Sequence, residues 1–149
     1  MPGTYSQILL HAVYSTKNRE PWIKAHIAER LYPFIGGIVR DMKGTLLAVG
    51  GIEDHVHLYF RWRTDEDIAT LMREVKTGSS VWIHKTFSEL AEFAWQEGYG
   101  VFSVSKSQEP RVVSYINNQK EHHRQRDFRM ELIETYLRHG IEFEEKYLF

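Results

Sequence analysis

Two apolar runs separated by only four residues place the strongest constraint on how this chain can fold. Residues 45–50 and 55–62 are each long enough for a strand, and residues 51–54 between them, Gly-Ile-Glu-Asp, have the composition of a turn. Such a short connection predicts a hairpin of two neighbouring antiparallel strands. The other elements can be placed around this hairpin.

A strand and a helix are predicted before the hairpin. Residues 5–14 have the apolar character of a strand, and after a polar turn over residues 15–20 the ring of Pro21 suits a helix start. Pro33 and the pair at residues 36–37, Gly-Gly, should kink or interrupt that helix. Its apolar positions keep a helical spacing, at Ile23, Ile27, Leu31, Phe34, Ile35, Ile38 and Met42.

A second helix and more strand segments are predicted after the hairpin. Thr64 followed by Asp67 resembles the capping box of a helix. Residues 93–96 and 99–105 then have strand character, which brings the strand count to four or five. The helix itself is predicted from apolar residues at helical spacing, Ile68, Leu71, Met72 and Val75, continuing into residues 81–83.

Two further helices complete the predicted order. A third helix opens within residues 107–110 and runs to about His123, and a last helix over residues 128–139 ends at Gly140. The order strand, helix, strand, strand, helix, strand predicts an α+β fold of the ferredoxin-like or RRM-like type. In this fold an antiparallel sheet carries helices on one face, here extended by C-terminal helices. No repeat or linker divides residues 1–149, so we expect one domain.

The composition excludes several classes of protein. The chain has no cysteine, which excludes disulfides and thiolate metal sites and favours a reducing compartment. No stretch approaches the roughly 18 apolar residues of a membrane span, and no secretory leader is evident, so we expect a cytoplasmic protein. The net charge of −1 argues against coating nucleic acid by bulk electrostatics but is compatible with a local basic face.

Two histidines lie two residues apart in the second strand of the hairpin. Because residues i and i+2 of a strand project from the same face, His55 and His57 can direct both rings at one point and chelate a metal. Glu53 and Asp54, just before them, could orient an imidazole, and the second face of the sheet has no obvious helical cover. The alternative is that both rings make ordinary cross-strand contacts.

The third helix contains a polar stripe. One face of this helix carries polar residues at helical spacing: Tyr115, Asn118, Gln119 and His122. The alternative interpretation is that this face simply contacts solvent. A tyrosine one turn from an amide becomes useful if the amide oxygen binds a cation and the phenol attacks a substrate. Two imidazoles and one amide oxygen suit Mg²⁺ or Mn²⁺ in a phosphate-handling site, whereas a zinc hydrolase would more usually have another His or carboxylate.

These segments resemble a known family. Residues 55–57 (His-Val-His), after residues 53–54 (Glu-Asp), resemble the histidine signature of the HUH endonuclease superfamily. Residues 115–119 with His122-His123 resemble the tyrosine helix of its single-tyrosine transposases. The chain is thus similar to IS200/605-like transposases over nearly its whole length, although many relatives have Met-Pro where residues 52–53 are Ile-Glu. Other matching segments are residues 15–19, 76–80 and 95–99.

The resemblance implies a metal-dependent DNA transposase. Such an enzyme cleaves and rejoins single-stranded DNA through a 5′-phosphotyrosine intermediate. By position, Tyr115 would be the nucleophile, and His55, His57 and Gln119 would bind Mg²⁺ or Mn²⁺. The family also implies a homodimer that acts on hairpin-containing element ends, in which the tyrosine helix of one chain can complete the site of the other.

Two other functions are compatible with the same residues. A metal-dependent single-strand nuclease would cleave without rejoining and would release its product. A ferredoxin-like nucleic-acid-binding module would use His55, His57 and Tyr115 only structurally. For either function and for the transposase, the candidate phosphate contacts are Lys17, Arg19, Lys106, Lys120 and Arg124.

Overall fold

A four-stranded antiparallel sheet forms the centre of the molecule. The computed structural model describes residues 3–123 and 127–142. The strands are β1 (Ile8–Ser15), β2 (Thr45–Ile52), β3 (His55–Trp62) and β4 (Gly100–Ser103). Their spatial order is β2-β3-β1-β4, and every neighbouring pair is antiparallel. This order and connectivity confirm the predicted ferredoxin-like fold.

Five helices cover the sheet. They are α1 (Ala25–Asp41), α2 (Ile68–Thr86), α3 (Glu109–Asn117), α4 (Gln119–His122) and α5 (Phe128–Arg138). Helices α1 and α2 pack together beside the larger hydrophobic core, whereas α3 and α4 contact β2. None of the helices in the described ranges is both long and apolar enough to cross a bilayer.

The two faces of β1 bury different groups because side chains alternate along a strand. Leu10, Ala12 and Tyr14 join the main core with the apolar side chains of α1 and α2. Leu9 and Val13 project to the other face, where they join separate apolar clusters beneath the C-terminal helices. This second face, for which the sequence offered no obvious cover, is therefore covered by α3, α4 and α5.

Strand β1 begins later, and the hairpin turn is tighter, than the sequence predicts. The strand starts at Ile8, which pairs with Trp62 at the end of β3, so residues 5–7 have no strand opposite them. In the hairpin, Ile52 pairs with His55, which leaves only residues 53–54 in the turn. The predicted four-residue connection is wrong because residues 51–52 still belong to the ladder.

Helix α1 starts at Ala25 instead of Pro21 and runs without interruption to Asp41. The segment before it stays extended because the backbone N–H of Ile23 donates to the carbonyl of Glu53. Pro33 lies on the exposed side of the helix. Burial on the opposite side holds the helix together across the proline, through Ile27, Leu31, Ile35 and Val39.

Other predicted boundaries also differ: β4 covers Gly100–Ser103 and is shorter than the predicted strand over residues 99–105. Asp67 itself caps α2 by accepting from the N–H of Thr70, so the predicted cap at Thr64 is wrong. Residues 93–96 form no strand and make only one isolated bridge, between Thr16 and Trp95. The described sheet therefore has four strands. At the C-terminal end of α5, Gly140 has a φ of 66°, the left-handed conformation predicted for it.

Candidate active site

The histidine pair lies on the second face of the sheet, beneath the C-terminal helices. His55 and His57 are both buried, their ring centroids are 5.1 Å apart, and the rings are nearly perpendicular. Strand geometry explains the arrangement, because the two residues alternate with Val56 and Leu58 of the main core. The prediction that both rings project from one face is confirmed.

The predicted third helix is divided into two helices between the tyrosine and the glutamine. Asn118 leaves the helical conformation, with φ −108° and ψ 26°, and its side-chain amide donates to the carbonyl of Ser114 at 2.9 Å. The break turns Gln119 inward, where it is buried, while Asn118 is exposed. The prediction that Asn118 shares one helix face with Gln119 is therefore wrong.

The tyrosine and the glutamine both reach the histidine pair within a single chain. Gln119 Oε1 lies 3.1 Å from His55 Nε2. The Tyr115 ring is edge-on to His57, with the ring centroids 5.4 Å apart, and lies 5.1 Å from the His122 ring. All four residues of the predicted catalytic and metal set thus lie together.

A glycine in β2 allows α3 to approach this closely. A Cβ atom at Gly50 would lie 2.3 Å from the carbonyl oxygen of Ile116, far inside any real contact distance. Since Ile116 directly follows Tyr115, the absence of a side chain at Gly50 sets the height of the tyrosine helix above the sheet.

Sequence reasoning missed a buried carboxylate in the site. Glu131 of α5 is only 3% exposed, and its Oε1 lies 2.7 Å from His57 Nε2. Its other oxygen contacts the imidazole of His123. A signal was available, because Glu131 falls among the buried positions Phe128 and Leu132 of α5, where an unpaired acid would be costly.

These groups have the composition of a divalent metal site. One ligand atom from each of His55, His57 and Glu131 lies within 4.8 Å of the other two. Gln119 adds an amide oxygen beside His55. Imidazole nitrogens with carboxylate and amide oxygens suit Mn²⁺ and related divalent ions, so the residues present fit a metal.

Neighbouring groups control the charges in the site. Burial lowers the pKa of His57 to about 4. The interaction with Glu131 favours the charged imidazole and raises this pKa, but its effect is smaller than that of burial. Burial would raise the pKa of Glu131, but the hydrogen bonds with His123 and His57 outweigh it and hold that pKa well below its usual range. Burial, followed by the charge of Glu131 and a hydrogen bond to it, raises the pKa of Tyr115 well above its usual range.

The acidic residues before the histidines have different roles. Asp54 Oδ1 accepts a hydrogen bond from His55 Nδ1 at 2.8 Å, which leaves Nε2 as the nitrogen that faces Gln119. Glu53 instead pairs with Lys24 on the surface, at 3.1 Å. The predicted orienting role therefore fits Asp54 and not Glu53.

The predicted phosphate contacts occupy different places around the site. Lys17 and Arg19 are exposed in a short turn after β1, next to Asp54, whose carbonyl accepts from the N–H of Thr16. Lys106 pairs with Glu109 at 2.8 Å, and Lys120 is exposed on α4. Arg124 lies outside the described residues.

A cavity of about 920 Å³ opens beside the tyrosine. Tyr115 and Glu131 line it together with two arginines, Arg111 and Arg138. On its wall the ring of His139 stacks on Phe102, with centroids 4.6 Å apart. The lining thus combines acidic and basic side chains with a stacked aromatic pair.

Comparisons with known proteins identify a family and similar folds. A family model described as "Transposase IS200 like" matches residues 4–119. A protein from Deinococcus radiodurans R1, described as a candidate transposase, has a similar structure with a TM-score of 0.67 and 22% sequence identity; the match covers 80% of this chain and 95% of that one. The structure of a REP-associated tyrosine transposase bound to a REP hairpin is also similar, with a TM-score of 0.61 and 17% sequence identity. This match covers 83% of this chain and 73% of that one. No protein of curated function matches.

Proposed function

Because this chain belongs to the IS200-like transposase family, we propose that it cleaves and rejoins single-stranded DNA with Tyr115 as the nucleophile. One observation carries the proposal. The phenol of Tyr115 lies against a buried group of two imidazoles and a carboxylate, His55, His57 and Glu131, on one face of the sheet. A structural role alone would not require three buried ligand atoms around one tyrosine.

In the proposed reaction the Tyr115 oxygen attacks the scissile phosphorus. A bond forms between phosphorus and the tyrosine oxygen, and the bond from phosphorus to the 3′-oxygen of the preceding nucleotide breaks. The phenol loses its proton and the departing 3′-oxygen gains one, so cleavage consumes no water. A 3′-hydroxyl from another strand can then reverse the step and rejoin DNA without ATP.

The chain's own residues hold the phenol protonated until substrate and cation are in place. The Glu131 carboxylate beside Tyr115 opposes formation of a second negative charge. A divalent ion held by His55, His57 and Glu131, with Gln119 beside them, would supply positive charge for both the phosphate and the phenolate. We infer Mg²⁺ or Mn²⁺ from the family resemblance and the amide oxygen of Gln119, since two imidazoles with the carboxylate of Glu131 would by themselves also suit zinc.

The proposed substrate is a single strand that carries a hairpin. Support comes from the similarity to a transposase bound to a REP hairpin and from the cavity beside Tyr115, whose lining includes Arg111 and Arg138. Guanidinium groups pair with phosphates, and aromatic rings stack on bases. The predicted contacts of Lys17, Arg19, Lys106 and Lys120 remain part of this proposal, as does a homodimer.

A denaturing gel with hairpin-containing single-stranded DNA and Mn²⁺ tests the chemistry. The 5′-phosphotyrosine link predicts that DNA labelled at its 3′ end gives a covalent protein band, whereas DNA labelled at its 5′ end gives only a shorter free strand. Tyr115→Phe should abolish the band, and His57→Ala should reduce it at least 100-fold. Tyr99→Phe, a half-buried tyrosine outside the site, is the matched control and should keep it.

Each alternative gives a different result. Shortened strands without a protein band would favour a nuclease that does not rejoin DNA. Binding that survives chelation and both substitutions, without cleavage, would favour a non-catalytic module. A covalent band that persists in Tyr115→Phe would rule out Tyr115 as the nucleophile.

A further inference from the structure

A third histidine lies behind the metal-binding pair and has no role in the chemistry described so far. His11 projects from β1 on the same face as His57, and the two residues are diagonal neighbours across the strand pair. Its Nε2 lies 2.8 Å from His57 Nδ1, and both rings are buried. Water therefore cannot readily replace this contact.

The two nitrogens of His57 face different partners. Nδ1 meets His11, and Nε2 lies 2.7 Å from Glu131 Oε1, within the candidate metal group. A neutral imidazole carries one proton, so only one of these nitrogens can be bare at a time, and a metal binds a bare nitrogen. Metal binding through Nε2 requires the proton on Nδ1 and an acceptor for it.

We propose that His11 is a positioning residue, which accepts the Nδ1 proton of His57 and so holds His57 in the tautomer whose Nε2 binds the cation. This inference rests on the metal site of the proposed function. His11 itself is outside the group of His55, His57 and Glu131 whose ligand atoms lie within 4.8 Å of one another. The two metal-binding histidines thus have partners of different kinds: the carboxylate of Asp54 for His55, and a neutral ring for His57.

A ring can exchange the donor and acceptor roles, which a carboxylate cannot. We expect the metal-free protein to carry the His57 proton on Nε2, toward Glu131, and the His11 proton on Nε2, toward the bare Nδ1 of His57. With the cation bound, His57 donates from Nδ1, and His11 accepts at a bare Nε2 and carries its own proton on Nδ1. Each ring carries one proton in both arrangements, so this pair releases no net proton when the metal binds.

Two substitutions separate the hydrogen bond from packing. His11→Phe keeps a ring against Phe102 and Tyr115 but has no acceptor, whereas His11→Gln can place an amide oxygen near the position of Nε2. By calorimetric titration with Mn²⁺, we expect His11→Phe to lower the affinity 10–100-fold and His11→Gln to recover most of it. Unchanged affinity in His11→Phe, or equal losses in both variants, would overturn the proposal.

The wild-type protein supplies a second test that does not depend on how a variant folds. Long-range ¹H–¹⁵N spectra report which imidazole nitrogen is protonated, and Zn²⁺ is a diamagnetic probe for the loaded state. We expect loading to move the His57 proton to Nδ1 and to leave His11 Nε2 bare. A protonated Nε2 on His11 in the loaded protein would contradict the proposal.

Failure of the metal site itself gives a distinct result. His57→Ala should bind Mn²⁺ at least 100-fold more weakly than wild type. If it binds as well as wild type, the site proposed for His55, His57 and Glu131 is wrong, and the role of His11 is wrong with it. If only the His11 variants behave like wild type, the metal site stands and the positioning role alone is rejected.

Discussion

At the scale of single residues, Glu131 lies between the proposed metal ligands and the proposed nucleophile. Its carboxylate contacts His57 and His123, and its charge adds to burial in raising the pKa of Tyr115. Because it is buried and anionic, it also provides negative charge that a cation would offset. Gln119 was the predicted third ligand, and Glu131 is a second oxygen donor at the same place.

We expect Glu131→Gln to weaken Mn²⁺ binding about 10–100-fold, because the amide keeps the shape of the side chain but removes its charge. Calorimetric titration measures the effect. Glu92→Gln, an exposed acid outside the site, is the control and should bind like wild type. Wild-type affinity in Glu131→Gln would leave Gln119 as the better candidate for the third ligand.

At the scale of elements, the position of α3 over β2 decides whether the tyrosine meets the histidines. The contact depends on Gly50, where a Cβ would collide with the backbone of Ile116. The backbone cannot move aside as a flexible side chain would. A side chain at this position must therefore lift the helix that carries Tyr115.

We expect Gly50→Ala to lower the free energy of unfolding by about 1–3 kcal/mol, as is usual for overpacking, and to reduce adduct formation. Urea unfolding and the 3′-labelled DNA assay measure the two effects. The matched control is Gly36→Ala in α1, whose Cβ would make only an ordinary 3.5 Å contact with Leu46. A fully active and stable Gly50→Ala protein would show that α3 does not depend on this close approach.

At the scale of the whole molecule, the candidate site residues of one chain lie together. Gln119 and Tyr115 both reach the histidine pair without a second copy. The family resemblance also allows a composite site, in which the tyrosine helix serves the partner. These arrangements differ in how two inactive variants behave when they are combined.

We expect a mixture of Tyr115→Phe and His57→Ala proteins to form no more adduct than either variant alone, since each chain then lacks part of its own site. The 3′-labelled DNA assay measures this. A composite site would restore about a quarter of the wild-type band after subunit exchange, because half of the dimers would be mixed and each would contain one intact site of two. Such recovery would contradict assembly within one chain.

The buried histidines also predict how the metal-free protein responds to acid. Burial lowers the pKa of His57 to about 4, and burial followed by the neighbouring His57 lowers that of His11 to about 3. Between pH 6.5 and 4 the unfolded chain therefore binds protons that the folded chain does not, and stability falls as the pH falls through this window. Above pH 6.5 these residues cause no such loss.

We expect the chelator-treated protein to lose roughly 2–3 kcal/mol of unfolding free energy between pH 7 and 4.5 from His57 alone, at about 1.4 kcal/mol for each pH unit. Urea unfolding at a series of pH values measures it. His57→Gln should remove the His57 contribution and leave that of His11, whereas His26→Gln, which changes an exposed histidine, should leave the dependence unchanged. An equally steep slope in His57→Gln would place the acid sensitivity elsewhere.

Local spacing alone allowed most of the fold and half of the site to be predicted. The hairpin, the helical stripes and the shared face of His55 and His57 follow from periods of 2 and 3.6 residues, which neighbouring residues determine by themselves. The cap at Asp67 and the start of β1 were placed wrongly because competing caps and strand partners decide such boundaries.

The sequence by itself determined the order of the elements, the histidine pair and the tyrosine helix. Only the tertiary structure decided that Glu131 and His11 belong to the same site and that the helix breaks at Asn118. The physical reason is the range of the contacts. His11, His57 and Glu131 come from β1, β3 and α5, and packing on the second face of the sheet brings them together, which no local pattern records.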